Sequence, residues 1–156
     1  MNEVDVSVEG LPAPDWLPAC GDFAAAVLEE LGIRGWEVSI LLCTDPFIQE
    51  LNRKYRGVAA PTDVLSFPQQ QPASSGREPG APPAGNLAAG DIVISLETLA
   101  RNAGREGEDP QTELKRLLIH GILHLQGLDH PEEGQSPMLA TQEMLLERLR
   151  DKRVGP

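Results

Sequence analysis

One eight-residue stretch, Trp36–Cys43, constrains the fold of this chain more than any other. Its sequence, WEVSILLC, favours β-structure and carries apolar side chains that would point to both faces of a strand. A strand that is apolar on both faces has to be covered on both, which is typical of the centre of a sheet packed against helices. We therefore expect this segment to be a central strand.

Patterns on either side of this stretch predict the other strands and helices. They predict strands over 4–8, 62–67 and 90–95, and helices over 15–31, 45–56, 96–103, 110–126 and from 136 onward. A polar break, GREGEDPQ, separates the third helix from the fourth. The order βαβαββααα predicts a single α+β domain over residues 1–156, with one mixed β-sheet of about four strands packed with helices.

A segment rich in proline and glycine separates two of the predicted strands. Residues 68–90 hold five prolines and four glycines among 23 positions. Such a composition cannot bury a core, so we expect a surface loop. Because both flanks resemble strands of one sheet, the loop is expected to be an insertion within the single domain.

Charge and cysteine content exclude several classes of protein. Lys and Arg number 13 against 24 Asp and Glu, which gives a net charge of −11. That balance argues against a protein that coats nucleic acid by charge alone, although it allows a local basic patch. No apolar run reaches the ~20 residues that cross a bilayer, and the N-terminus does not resemble a signal peptide. We expect Cys20 and Cys43 to be small buried residues of a cytoplasmic protein.

All three histidines lie within eleven residues, HGILHLQGLDH at 120–130. His120 and His124 are four residues apart on a predicted helix, so they project from one face. Gly127 lets the chain reverse, and His130 can return as a third ligand. Three neutral imidazoles suit one Zn²⁺ ion and leave a coordination position open, which is typical of a catalytic site. Imidazole also binds nickel, iron and copper.

The histidine spacing is also that of a metzincin-type protease site, with one departure. Those proteases carry a glutamate beside the first histidine as general base. This chain has Gly121 in that place. A protease would lack its base, so peptide hydrolysis is disfavoured, and a metzincin-like metallohydrolase is kept as an alternative.

Four segments in order resemble those of a known family. They are LNRKYRG at 51–57, PTDVLSFP at 61–68, GDIVIS at 90–95 and HGILHLQGLDH at 120–130. With them, the chain resembles the YbeY family of bacterial endoribonucleases and rRNA maturation factors. The resemblance implies one α+β domain that holds a zinc ion with His120, His124 and His130. It also implies that Arg56 contributes to the active site.

The same resemblance implies a biological role. It implies a zinc-dependent, single-strand-specific endoribonuclease that acts in the cytoplasm on 16S rRNA 3′ end maturation, ribosome assembly and rRNA quality control. The implied partners are RNA, the small ribosomal subunit with its proteins, and an assembly GTPase, with no membrane. Two departures are the long 68–90 segment and Leu128, which stands where an aromatic residue is common. A non-catalytic assembly factor with a structural zinc is a further alternative, because no residue stands out as the general base.

Phosphodiester cleavage gives a specific use to an arginine. A guanidinium neutralises charge on a phosphate through two parallel hydrogen bonds, which a lysine cannot match. Arg56 is the candidate for that role. Arg53 and Lys54 fit better the general preference for cations in the last turn of a helix.

Four further charged residues near these motifs are expected to be structural. Asp63 could cap the strand after it or orient a ligand, and we favour the cap. Asp129 lies at the turn before His130 and could cap that turn or accept a hydrogen bond from an imidazole, and we again favour the structural role. Lys115 and Arg116 are expected to form a solvated helix face.

Overall fold

Strands and helices follow one another in the order that the sequence predicts. The structure is a computed structural model that describes residues 2–72, 87–126 and 137–154. Its elements are β1 (Glu3–Val8), α1 (Leu17–Glu30), β2 (Trp36–Cys43), α2 (Asp45–Arg56), β3 (Val64–Pro72), β4 (Leu87–Ser95), α3 (Leu96–Glu106), α4 (Pro110–Leu125) and α5 (Pro137–Arg148). None of the helices within these ranges is both long and apolar enough to cross a lipid bilayer.

The four strands form one mixed sheet in the order β1-β2-β4-β3. β1, β2 and β4 run parallel, and β3 pairs antiparallel with β4 at the edge. The α+β class with a mixed four-stranded sheet is therefore confirmed. β2 pairs on both sides, so the prediction that Trp36–Cys43 is a central strand is confirmed as well.

Helices cover both faces of this sheet, although unequally. The larger core lies between one face and α1, α4 and α5, and it includes Phe23, Ile40, Ile92, Leu118 and Leu145, all nearly or fully buried. A smaller cluster under α2 covers part of the other face and is built from Cys43, Ile48, Leu65 and Val93. Ile92 and Val93 are neighbours that serve opposite faces, as the two-residue period of a strand requires.

The two strands that flank the proline-rich segment are longer than expected. β3 continues to Pro72 and β4 begins at Leu87, and these two residues pair with each other. The predicted loop is therefore wrong at both ends, over 68–72 and 87–89, and Gly90 lies in a strand, as the prediction for 90–95 has it. Proline is tolerated here because β3 is an edge strand and need not donate every backbone hydrogen bond. Residues 73–86 lie outside the described part of the chain.

Helix α3 also extends beyond its predicted end. It runs through Gly104 to Glu106, because a single glycine costs a helix only about 1 kcal/mol. The helix ends where Gly107 adopts a left-handed conformation with φ 66°. The break expected from residue 104 onward therefore begins three residues later.

The prediction that Lys115 and Arg116 form a solvated helix face is wrong. Lys115 is 6% exposed, and its Nζ donates a hydrogen bond of 2.9 Å to the carbonyl oxygen of Arg150. Arg116 forms ion pairs with Glu108 and Glu113 at 2.6 and 2.9 Å. A long cationic side chain can bury its stem when its charged end finds oxygen partners, which helical spacing alone does not reveal.

The two cysteines are fully buried and unpaired, as predicted. Burial raises the pKa of Cys20 to about 12. Burial also raises the pKa of Cys43 to about 12, with a smaller contribution from nearby carboxylates such as Asp45. Both thiols are therefore protonated and unreactive at neutral pH.

Candidate active site

One face of α4 carries the polar residues of the candidate site. The helix begins where Asp109 caps it, accepting a hydrogen bond of 2.9 Å from the backbone nitrogen of Gln111, with Pro110 in the first turn. The spacing of Glu113, His120 and His124 places them on one stripe of the helix. The opposite stripe is buried in the core, so these polar groups are held in a fixed direction.

The two described histidines lie close together. The Nε2 atoms of His120 and His124 are 3.0 Å apart, and the ring centroids are 4.5 Å apart at an interplanar angle of 69°. Two imidazole nitrogens bound to one zinc at about 2.0–2.1 Å in tetrahedral geometry would be separated by about 3.3 Å. The observed pair therefore fits a shared metal ion after a shift of a few tenths of an ångström. His130 lies outside the described residues, so the third ligand stays a prediction.

Close contact between α4 and β4 depends on a glycine beside the first histidine. A Cβ atom at Gly121 would lie 2.8 Å from Cγ2 of the buried Ile92. Position 121 therefore leaves no space for a larger side chain unless the helix moves away from the sheet. This packing gives a physical reason for the glycine at the position where metzincins carry glutamate, and it argues against a protease-like general base there.

A cavity of about 420 Å³ opens beside the histidine pair at the β3 edge of the sheet. Its lining consists of residues from the end of α2, from the start of β3 and from α4: Arg56, Thr62, Asp63, Val64, Leu65, Ser66, His120 and His124. Three of the four predicted site residues, Arg56, His120 and His124, therefore line one cavity although they come from different elements. Arg56 is exposed, and α2 ends directly after it because Gly57 adopts φ 72°.

Asp63 joins the start of β3 to the neighbouring elements. Its Oδ1 accepts a hydrogen bond of 2.8 Å from the backbone nitrogen of Val64, and its Oδ2 lies 3.5 Å from the amide nitrogen of Asn102. Its backbone carbonyl accepts from the nitrogen of Ser95 at 3.0 Å. These contacts support the strand-capping role expected for Asp63. Asp129, the other predicted structural aspartate, lies outside the described residues, as do Gly127 and Leu128.

A second cavity, of about 600 Å³, lies against the first and shares Asp63, Val64 and His120 with it. Three acidic residues on its wall, Glu106, Glu108 and Glu113, offer oxygen atoms within 4.8 Å of one another, close enough to hold a cation. The guanidinium of Arg116 already pairs with two of these carboxylates. Burial raises the pKa of Glu113, whereas the hydrogen bond from Arg116 lowers the pKa of the less buried Glu108.

The histidine pair contacts one polar residue that none of the sequence motifs identified. Gln142 on α5 is 6% exposed, and its Oε1 lies 2.9 Å from Nδ1 of His120. The sequence contained a signal for it, because Gln142 is three and seven residues before Leu145 and Leu149, both buried. A polar residue on the core-facing stripe of a helix needs a polar partner, and here that partner is a predicted metal ligand.

Comparisons with known proteins identify relatives of this chain. A model of the family described as endoribonuclease YbeY matches residues 14–150. A protein named endoribonuclease YbeY from Treponema pallidum is 44% identical over 148 residues, covering 94% of this chain and 89% of the relative. The protein of that name from Treponema denticola is 41% identical over 155 residues, covering 98% and 97%.

A solved structure has a similar fold. The solution structure of TM1509 from Thermotoga maritima superposes with a TM-score of 0.63 and 26% sequence identity. The match covers 94% of this chain and 88% of the Thermotoga protein.

Proposed function

The chain belongs to the endoribonuclease YbeY family, and from that premise we propose that it is a zinc-dependent endoribonuclease acting on single-stranded RNA. The observation that carries the proposal is the pair of Nε2 atoms 3.0 Å apart in a cavity that Arg56 also lines. His120 and His124, with His130, would hold the ion. A bound zinc ion would supply a Lewis acid to the phosphodiester.

Arg56 would bind the phosphate that is cleaved. Its guanidinium can donate two parallel hydrogen bonds to non-bridging oxygens and offset the charge that develops on them. The last turn of α2 carries three basic residues, Arg53, Lys54 and Arg56, on a chain whose net charge is −11. Because Arg53 pairs with Glu50, Arg56 and Lys54 would contribute most of the local attraction for RNA.

The shape of the site supports a preference for single strands. The histidines lie in a cavity, partly buried behind β3, rather than on a convex surface. A flexible single strand can turn one phosphate into such a cavity, whereas the phosphates of a rigid A-form duplex are held on the outside of the helix.

The family resemblance supports a proposal for the cellular substrate and partners. We propose 16S rRNA 3′ end maturation, ribosome assembly and rRNA quality control as the role. The partners would then be the small ribosomal subunit with its proteins and an assembly GTPase, in the cytoplasm. The two buried, unpaired cysteines support a reducing compartment.

The direct test is cleavage by the purified protein. We expect a single-stranded oligoribonucleotide to be cut internally, and the matched hairpin and single-stranded DNA to be cut slowly or not at all. A chelator should abolish the cutting, and stoichiometric zinc should restore it. Small-subunit binding without any cleavage by the zinc-loaded protein would instead favour an assembly factor whose zinc is structural.

Replacement of Arg56 by alanine should remove activity without loss of folding. The side chain is exposed, so we expect a melting temperature close to that of the wild type. Cleavage should fall roughly 100-fold in kcat/KM, because the phosphate loses a bidentate donor. Arg56→Lys should restore only part of this activity. Arg53→Ala is the matched control, because it removes a cation one turn earlier and should change cleavage little. Equal losses in both arginine variants would assign the effect to general charge.

A further inference from the structure

We propose that Gln142 is a positioning residue that accepts a hydrogen bond from Nδ1 of His120 and keeps the Nε2 lone pair of that imidazole directed at the metal position. The inference builds on the proposed zinc site and adds a residue from α5 to it. Gln142 is not itself a ligand in this proposal, because its side chain meets His120 on the ring nitrogen that faces away from His124.

Burial and distance make this contact a specific one. Gln142 is 6% exposed, and its Oε1 is 2.9 Å from Nδ1 of His120, an ordinary hydrogen-bond length. A buried side-chain amide without partners would cost stability. The amide is therefore held where it is by the same bond that would orient the imidazole.

A neighbouring carboxylate sets the direction of the amide. The Nε2 of Gln142 donates to Oε2 of Glu143 at 3.3 Å. The reversed amide would place its oxygen against that carboxylate, which is unfavourable because both atoms are acceptors. Glu143 is in turn 3.6 Å from Nε of Arg116. The amide oxygen consequently faces His120.

An acceptor at Nδ1 determines the tautomer of the ring. A neutral imidazole has one N–H, so a proton on Nδ1 leaves Nε2 with a lone pair, the form that binds a metal ion. The Nε2 of His120 is also the atom that lies 3.0 Å from His124. Partners of this kind typically change metal affinity 10- to 100-fold when they are removed.

The tautomer can be measured in the metal-free protein. We expect long-range proton–nitrogen NMR spectra of neutral His120 to show a protonated Nδ1 in the wild type. Gln142→Leu should lose that preference, and Gln142→Met gives a second apolar variant should the first not fold. Gln142→Glu keeps an acceptor oxygen and should restore it. An unchanged His120 tautomer in a folded apolar variant would overturn the inference.

Zinc affinity, measured by chelator competition, provides the second readout. Gln142→Leu should bind zinc roughly 10- to 100-fold more weakly than the wild type, and Gln142→Glu should recover most of the affinity. Gln111→Leu is the matched control, because Gln111 accepts a 2.8 Å hydrogen bond from Val154 at the other end of α4. It should lower the melting temperature without weakening zinc binding.

The two readouts separate this inference from the proposed function. A wild-type protein that binds no zinc would contradict the zinc-dependent activity, and the tautomer measurement would still decide the role of Gln142. A folded Gln142→Leu variant that binds zinc as tightly as the wild type would contradict the positioning role of Gln142 and leave the zinc-dependent activity untouched. Equal losses of zinc affinity in the Gln142 and Gln111 variants would also count against it, since they would indicate general destabilisation.

Discussion

Replacement of His124 by alanine is expected to abolish RNA cleavage and zinc binding together. The Nε2 atom of His124 is one of the two ring nitrogens that meet at 3.0 Å in the cavity. Loss of a direct ligand should cost more than the roughly 10- to 100-fold that accompanies the loss of a supporting hydrogen bond. Cleavage of a single-stranded oligoribonucleotide should therefore fall by at least about 100-fold, with zinc content measured on the same preparation.

The same variant should still fold without metal. His124 is only partly buried, and alanine is the best helix former for a position within α4. Its metal-free melting temperature should therefore be close to that of the metal-free wild type. Gln126→Ala is the control, since it changes an exposed residue at the end of the same helix. Wild-type cleavage by a zinc-free His124→Ala protein would remove the metal from the mechanism.

The largest loss of stability is expected for Gly90→Ala. Gly90 has φ 147°, which favours glycine, and an added Cβ would meet the carbonyl oxygen of Phe67 and lie 2.7 Å from Cδ2 of Leu125. The backbone of β3 cannot move away without breaking its pairing with β4. Strain and overpacking together should cost about 3–5 kcal/mol in the free energy of unfolding, measured by urea denaturation.

A second glycine provides a control, because its replacement should change the free energy of unfolding in the opposite direction. Gly104 lies within α3, and a Cβ there would meet nothing within 4 Å. Gly104→Ala should therefore stabilise the protein by up to about 1 kcal/mol through helix propensity. A Gly90→Ala protein as stable as the wild type would contradict the expected strain, because it would show that β3 and Leu125 can shift enough to accommodate a Cβ atom at position 90.

Gly90 also links the sheet to the candidate site. Both strand ladders change register beside it: Ala89 is an extra residue opposite β2, and a further shift follows Pro68 in β3. Leu125, which packs against Gly90, ends the helix that carries the histidines. A Gly90→Ala protein that still folds should consequently lose zinc affinity as well as stability.

Much of the fold could be predicted from short-range patterns. The apolar residues of Trp36–Cys43 predict a central strand, and the position of Gly57 predicts the end of α2. The four-residue spacing of His120 and His124 predicts two rings on one helix face. Each of these predictions depends on residues that are a few positions apart. Over such a distance, the helical and strand periods fix the direction of the side chains.

Contacts between distant segments could not be predicted in this way. Arg56 and His120 line one cavity only because α2 ends beside the start of β3 and α4 packs against the same edge strand. Similarly, lysine is usually a surface residue, and the burial of Lys115 depends on a hydrogen bond to the carbonyl oxygen of Arg150, 35 positions away. The strand ends at Pro72 and Leu87 depend on their pairing with each other.

The histidine motif and the order of elements are properties of the local sequence, because periodicity and turn residues act over a few positions. The residues that surround the histidines are not determined by the local sequence. Gln142 lies 22 positions from His120, and only the packing of α5 against α4 brings its amide oxygen to the ring. The helical period places the amide of Gln142 on the inward face of α5. The packing of the helices decides which group the amide contacts there, and no local sequence pattern encodes such a long-range contact.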